Sequence, residues 1–598
     1  MISQKNSFDR SKNRRQLIKN TALAGAAVSF SRLLSGKFES EAKAAGEDNI
    51  YDVIVVGCGA AGMTAALTAS KRGLSVLVVE KAKVFGGSTA RSGAGIWIRN
   101  NEVILSEGVP DSPSKAAIYL EKAVAGESSK EKQTAFLANG PSMISFVMNN
   151  SPLKFRFMEG YSEYYPELEG GLPNGSSLEP EQINGKILGD ELKNLNAPYI
   201  PTPPGVVVFG GDYKWLNLVA VSAKGVGVAA QSVARFARAL LLGQKPLTMG
   251  QALAAGLRKG LIDAKVPVWL NTPLVDFQFD DAGRVTGVTV ERDGETLLLT
   301  AKRGVILSSG GFDHNLSMRN QYQKQPIGID WTVGAKSNTG DGILAGERAG
   351  AALDLMDDAW WGPSIPLPDG PYFCLAERSL PGSILVNGEG VRFVNEGAPY
   401  TDVVHTMYDQ NKDPASMPVW LITDQTYRNR YLFKDVLAAL PLPKAWFEAG
   451  VAFKDRSVEG LAEQIGVPAD ALQSTIDRFN GFARAGKDLD FKRGDSAYDR
   501  YYTDPAIKPN SALAELSNAP YYAFKIVPGD LGTKGGVRTD SRSRVLRANG
   551  SAIEGLYAAG NVSASIMGHS YPAAGSTIGP AMTFGYIAGN DIADSAGV

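Results

Sequence analysis

The first regular pattern in the chain is an apolar run, Val-Ile-Val-Val at 53–56, which stops at the glycines of VGCGAAG and passes into an uncharged Ala/Leu/Met stretch ending before Lys71. A second apolar run, Val76 to Val79, closes on Glu80. The order predicts strand, tight turn, helix and strand within about thirty residues. Residues 53–70 carry no charge, but their glycines and the strand-like run argue against a membrane span. Two later runs, GVILSSGGF at 304–312 and GLYAAGN at 555–561, read as buried strands running into glycine. Residues 266–300 alternate as short strands joined by Asp-Ala-Gly and Asp-Gly turns, and 337–350 starts a helix. From about 359 to 532 the pattern is irregular, with Pro-rich loops and a helical stretch at 457–486. Another helix is predicted to start near Pro580.

The first unit is a dinucleotide site. Gly57 allows the turn, Gly59 lets the backbone approach a pyrophosphate, and Gly62 lets the helix sit close on the strand. Glu80, twenty-three residues after Gly57, is placed for a ribose hydroxyl. The segment just beyond Glu80 decides which nucleotide it is. VFGGSTARSGAGIW at 84–97 is a second Gly/Ser-rich loop that an NAD site does not need, and it resembles the loop by which flavoproteins of the fumarate-reductase and succinate-dehydrogenase type wrap FAD. That resemblance implies an α/β chain: a Rossmann-like FAD-binding domain of the glutathione-reductase/fumarate-reductase type, interrupted by an α+β catalytic capping domain. The expected division is a tail at 1–46, the first part of the FAD-binding domain at 47–358, the cap at 359–532, and the rest of the FAD-binding domain at 533–598. The cofactor set is Gly57, Gly59, Ala61, Gly62, Glu80, Lys81, Gly86, Gly87, Ser88, Ser92, Gly93, Val275, Gly310, Gly560, Asn561, Ser576 and Ile578. The chain has no second strand–GxGxxG–helix unit, so no NAD(P) partner site is expected.

Composition removes other classes. With 61 Lys+Arg against 62 Asp+Glu there is no global field to attract nucleic acid. Cys58 and Cys374 are the only cysteines, and three histidines come without a CxxCH motif, so neither a four-cysteine cluster nor a haem attachment is available and no metal site is expected.

Two segments bear on location. Arg14 and Arg15 precede a short Ala/Gly-rich apolar region, with Ala42-Lys43-Ala44 beyond it, and the arrangement resembles a twin-arginine export signal to the periplasm. A protein that binds FAD in the cytoplasm should travel folded; the other reading is a basic tail on a cytoplasmic enzyme. Between Tyr213 and Ile262 there are fifty residues without an Asp or Glu but with seven Lys and Arg. Within this basic insert (213–250) SVARFARALLLG sets Val233, Phe236, Ala237, Leu240 and Leu241 on one helical face, with Arg235 and Arg238 off it. Such a helix either lies peripherally in an anionic bilayer surface or packs its apolar face on the flavin domain.

The tail carries the chemistry. In GHSYPAAGSTIGPAM the Tyr571 phenol and the Gly575 N–H can together hold a ketone oxygen as it gains negative charge, and a helix start beside them favours an anionic ring. VPGDLGTKGGVRTD at 527–540, GLYAAGN and GHSYPAAGSTIGPAM closely resemble the FAD-dependent 3-ketosteroid Δ1-dehydrogenases, and the likeness runs from Tyr51 to the C-terminus. In that family a tyrosine and a glycine four residues on bind the steroid C3 ketone, which falls here on Tyr571 and Gly575. A base tyrosine ends a segment like G-x-R-(F/Y)-x-N-E-x-x-P-Y, which GVRFVNEGAPY matches at Tyr400. A supporting tyrosine comes from a double-aromatic loop; EYYPELEG puts it at Tyr164, with Tyr161 and Tyr165 as neighbouring registers.

The resemblance implies introduction of a C1–C2 double bond into a 3-keto-4-ene steroid: C2 proton abstraction, hydride transfer from C1 to FAD, and onward delivery of electrons to a quinone or similar acceptor. Donors at Tyr571 and Gly575 are worth about 3 kcal/mol each in a dry site. A free phenol titrates near pH 10, so a phenolate at pH 7 costs about 4 kcal/mol and Tyr400 needs a donor such as Tyr164. Enoate reduction of the fumarate type needs arginines where this chain offers phenols, and the spacing from Tyr571 to Gly575 favours the Δ1 over the 4-ene (5α) dehydrogenases. A flavin electron carrier would leave the tyrosines unexplained. His569 reads as a loop residue, His314 and His405 lack metal-ligand spacing, and Asp341 reads as a helix cap.

Overall fold

The computed structural model describes residues 49–201, 203–410, 417–595 and 597, so the twin-arginine motif lies outside the described residues. At its centre is an eight-stranded sheet. Its main path runs Arg544–Leu546, Ala552–Ala558, Glu295–Leu307, Ile50–Val56, Val76–Val79, Val268–Trp269. Ile50–Val56 pairs in parallel with both neighbours, Val55 opposite Ile306 on one side and Val78 on the other. Strands buried on both faces must be apolar throughout, which is why these runs are Val/Ile/Leu-rich rather than alternating. Glu295–Leu307 is long enough to serve twice: its second half joins the parallel sheet and its first half continues an antiparallel meander with Val285–Arg292 and Leu274–Phe279.

The helix Ala60–Lys71 leaves the first strand through Gly57, whose φ of +107° suits glycine. A Cβ on Gly62 would lie 2.1 Å from the Gly57 carbonyl oxygen, so helix and strand close only over a bare backbone. The final helix, Ile578–Asp594, holds Pro580 in its first turn, as the sequence predicts, and lies along the first. Gly585 and Gly589 make that approach possible, since added Cβ atoms would meet the Ala61 carbonyl oxygen at 2.4 Å and the Thr68 side chain at 2.7 Å. The last turns of the chain thereby become part of the first nucleotide unit.

Residues 359–533 build a six-stranded sheet in which Tyr521–Thr533 pairs with Ala359–Leu367, Val419–Thr423 and Ala452–Asp455. Two helices, Val458–Ile465 and Ala469–Ala485, cover it with Leu461, Ile476 and Phe479. They are separated by Gly466 at φ +71° and by Pro468, which cannot continue a helix.

In the basic insert the helix Ala223–Leu241 seats on the protein through Gly225, Ser232 and Ala239, a stripe of small residues one heptad apart. Packing by its apolar face, one of the two readings of the sequence, is therefore corrected. Val226, Val233, Leu240, Leu241 and Leu242 point outward, with Leu241 87 % exposed. Arg235 is spent internally, on Asp212 at 2.6 Å and over the Phe209 ring. Among the described residues no helix is long and apolar enough to cross a membrane.

Candidate active site

One cavity of about 700 Å³ runs from the carboxyl ends of the parallel strands, under the cap, to the insert. At the strand end Gly57, Gly59, Ala61, Glu80, Lys81, Gly87, Ser88, Ser92, Gly93, Gly310, Gly560, Asn561 and Ile578 all line it. Glu80 is fixed by backbone N–H groups of Cys58 at 2.8 Å and Ala82 at 2.9 Å. Burial pushes its carboxyl up and those two bonds oppose the shift. Lys81 is held by Asp341 and Thr339, so the acid that starts the helix Asp341–Arg348 anchors a cavity lysine as well. Thr89, which no motif singles out, accepts the first helix's Ala60 N–H at 3.0 Å and ties the two glycine loops together.

Four of the cofactor candidates stand elsewhere. Gly62 and Gly86 lie behind the lining and act by letting backbones approach: Gly86 has φ +102° and an added Cβ would meet Ala90 at 2.7 Å. Val275 is not among the lining residues. On an alternating strand it is Leu274 that faces the cavity, while the Val275 carbonyl accepts from Arg348. Ser576 is not among them either, and its hydroxyl is engaged by Ala573, taking that N–H at 3.0 Å and donating to that carbonyl at 2.8 Å.

The site fits FAD on its own geometry. A Cβ on Gly57 would sit 2.3 Å from the Ser308 carbonyl oxygen, so the strand ends form a bare cradle, with a helix N-terminus at Ala60 and another at Ile578 facing the same cavity. Glu80 lines the same cavity at the end of the second strand. The cavity continues past the final helix into a space walled by aromatic residues, among them Tyr161, Tyr164, Phe373, Tyr400 and Tyr571.

That space is where the tyrosines meet. Tyr400 is the first residue of the helix Tyr400–Gln410 and its ring centroid is 5.0 Å from that of Tyr571. The Tyr164 hydroxyl donates to the Tyr400 oxygen at 3.3 Å, and its ring stacks on Tyr571 at 5.3 Å. Of the three registers, Tyr164 is the one in contact with Tyr400. Tyr161 reaches Tyr164 at 3.3 Å, and Tyr165 turns away to donate to Asp402 at 3.0 Å while taking the Tyr571 N–H. The loop is pinned through Pro572, whose carbonyl accepts from Tyr119 at 2.6 Å and from the Tyr164 N–H at 2.8 Å. Tyr119, Trp360 and Phe373 were not legible as site residues; Trp360 and Phe373 wall Tyr571 and Tyr400 at 5.2 and 5.1 Å.

The electrostatics are those of a dry site. Burial pushes the Tyr400 and Tyr164 phenols well above their ordinary value, with the Tyr164 hydrogen bond pulling Tyr400 back. Burial also raises Tyr571, and hydrogen bonds from Thr577, Tyr400 and the Gly575 backbone oppose it. Tyr571 and Gly575 both line the cavity, side by side. Gly575 has φ +100°, and a Cβ there would meet the Ile96 nitrogen at 2.4 Å. His569 is outside the lining, paired to Glu127 at 3.0 Å, and His405 is taken by Asp358 at 2.8 Å. Among the described residues no cluster of His, Cys, Asp and Glu has metal-ligand geometry.

The base loop has its own scaffold. Glu396, in GVRFVNEGAPY, accepts from Arg392 at 2.7 Å and from Arg493 at 3.0 Å, all three buried. Burial pushes Glu396 up, and the two arginines outweigh it and leave the carboxylate below its ordinary value. The polar residues of that motif thus position Tyr400 rather than react.

Residues 52–578 match the protein family described as FAD binding domain. The chain is 52 % identical to a 3-oxosteroid 1-dehydrogenase of Mycolicibacterium smegmatis, over 91 % of this chain and 98 % of that protein. It is also 52 % identical to a 3-oxosteroid 1-dehydrogenase of Mycobacterium tuberculosis, over 92 % of this chain and 99 % of the other. Among solved structures it is similar to a 3-ketosteroid Δ1-dehydrogenase from Sterolibacterium denitrificans in complex with 1,4-androstadiene-3,17-dione, with a TM-score of 0.87, 41 % identity, and coverage of 92 % of this chain and all of that one.

Proposed function

This chain belongs to the FAD-binding flavoproteins and, within them, to the 3-oxosteroid 1-dehydrogenases, and from that premise we propose that it takes 3-keto-4-ene steroids and introduces the C1–C2 double bond. The observation that carries the mechanism is that Tyr571 and Gly575 line one cavity beside the Tyr164–Tyr400 pair. The two donors hold the C3 ketone oxygen and take up charge as it becomes an enolate. The neighbouring C2–H is thereby acidified, and Tyr400 removes the proton. Tyr164 donates to the Tyr400 oxygen and stabilises its phenolate. Trp360 and Phe373 exclude water from the tyrosines, which keeps the effective dielectric low. When bound by the residues that line the strand ends, FAD would supply the acceptor for the hydrogen leaving C1. A quinone or a similar oxidant fits as the final acceptor, since no NAD(P) unit accompanies the first nucleotide site.

Anaerobic titration of the yellow protein with a 4-en-3-one steroid tests the reading. Stoichiometric bleaching of the flavin with a two-dalton mass loss from the steroid is expected; a colour that persists with every such steroid refutes it.

The outward apolar face of Ala223–Leu241, on a basic insert whose residues Tyr213, Asn217 and Leu247 also line the cavity, supports peripheral docking on an anionic membrane that carries lipophilic substrate. Leu240→Asp with Leu241→Asp should release the protein from anionic liposomes, and retention refutes docking. Export rests on Arg14 and Arg15; replacing both by Lys should keep the protein in the cytoplasm, and unchanged export refutes the signal.

A further inference from the structure

Lys132 is the anomaly of the molecule. It lies in the first turn of the helix Lys130–Asn150, where the positive end of the helix dipole disfavours a cation. It is buried, and among the described residues no carboxylate comes within ion-pair reach of its ammonium. Its bonds are to the Thr539 hydroxyl at 2.9 Å and the Ala564 carbonyl at 3.4 Å, with the Phe584 ring 5.5 Å away. Asp540 and Asp354 favour the charge from a distance, Arg538 opposes it, and burial brings the amine down to about 8. The other lysine nearby, Lys534, is neutralised by Asp358 at 2.9 Å.

An unpaired buried cation calls for an anion, and its surroundings say where one would stand. Lys132 faces a chamber of about 30 Å³, the size of one water, whose wall includes Gly560, Asn561, Thr577 and Ala581. The same four residues line the main cavity at the final helix. Lys132 is therefore one layer of protein behind the cofactor space, on the side of the helix N-terminus.

Resting on the reading that FAD occupies that space, we propose that Lys132 is an electrostatic positioning residue for the reduced cofactor, raising the flavin's reduction potential through the wall at Gly560, Asn561, Thr577 and Ala581. Hydride brings two electrons and one proton, so the ring gains one net negative charge, and the ammonium supplies the buried counter-charge. By reciprocity the reduced ring holds the Lys132 proton more tightly. In alkaline solution, where the oxidised protein has lost that proton, reduction draws it back, and a second proton is taken up per two electrons.

The test is a spectroelectrochemical titration of the FAD-loaded wild type, Lys132→Met and Lys132→Arg between about pH 6 and pH 10, with sulfite-adduct formation at the flavin as a second readout. A unit charge across one layer of protein is worth about tenfold in the reduced-to-oxidised ratio, about 30 mV for two electrons. Lys132→Met should lose that amount at pH 7 and bind sulfite about tenfold more weakly, Lys132→Arg should keep the potential, and the gap between wild type and Lys132→Met should close with rising pH. A Lys132→Met holoprotein with the wild-type potential at pH 7, or with a gap that ignores pH, overturns the proposal. Should Lys132→Met fail to hold FAD, Lys132→Arg decides: its charge persists, so its potential should rise above wild type in alkali, and a curve that tracks wild type overturns it. Steroid is absent throughout, so failure here leaves the substrate reading untouched.

Discussion

Replacing Tyr571 by Phe isolates one oxygen in the reaction. The ring would keep its contacts with Tyr164 at 5.3 Å, Tyr400 at 5.0 Å and Trp360 at 5.2 Å, so the fold and the cavity should survive. Thr577 loses its acceptor at 3.2 Å, a local cost of about 1 kcal/mol that falls on stability rather than on rate. What remains for the ketone is the Gly575 N–H alone. Losing one of two buried donors to a developing oxyanion costs about 3 kcal/mol, so the rate of flavin bleaching in anaerobic single turnover should fall about 100- to 1,000-fold. Steroid affinity should change far less, because a neutral ketone gains little from the second donor until charge develops. The measurement is stopped-flow absorbance with saturating steroid, paired with exchange of the C2 hydrogen in heavy water. Both must fall together. A Tyr571→Phe protein that keeps its FAD and reacts within threefold of wild type would sink the claim that this hydroxyl stabilises the enolate.

Three further outcomes are expected. Tyr400 works only as phenolate and burial raises it, so the phenolate fraction falls tenfold for each unit below its value; log rate should climb with pH and reach no plateau below about pH 10, whereas a flat profile from about pH 6 to 9 excludes it as base. Tyr164→Phe removes the donor to Tyr400 and should slow C2 exchange by about tenfold or more with the pH profile moved further to alkali, while Tyr165→Phe, which bonds Asp402 instead, should leave that profile in place; identical profiles for the two variants contradict the assignment. Glu396→Ala leaves Arg392 and Arg493 buried without their carboxylate and should cost about 3–5 kcal/mol in denaturant unfolding. Because the Glu396 carboxyl is depressed in the folded protein, the wild-type advantage is present above the unfolded value of about 4.3 and is lost as acid protonates the folded carboxylate, and an advantage that persists in acid contradicts the pairing.

The cofactor unit was legible because its signals are local: turn, close approach and ribose contact fall within thirty residues and each needs a particular residue type. Which side chain near Val275 faces the cavity was not legible, because a strand reverses its side chains at every residue and nothing in TPLVDFQF says which face meets the cavity; it is that of Leu274. Tyr571 was legible in its own loop, and Tyr164 and Tyr400 only through resemblance, but their mutual contacts depend on long-range packing that no spacing encodes. For the same reason Tyr119, Trp360 and Phe373 were missed, since an aromatic that walls a site is spelled like one that fills a core. Lys132 was invisible for the opposite reason: KEKQ at the start of an amphipathic helix reads as a solvated face. The outward face of Ala223–Leu241 was undecidable, because periodicity finds an apolar stripe and not the side on which it lies.

The seating of Ile578–Asp594 against Ala60–Lys71 has a consequence for biogenesis. The floor under the dinucleotide is made early, and the amide and phenol that grip the ketone are made more than five hundred residues later. A nascent polypeptide, even with its cap complete, has no finished place for a flavin. Maturation is thereby ordered: translation, docking of the tail, loading of the prosthetic group. Any passage that demands a folded cargo must wait for all three.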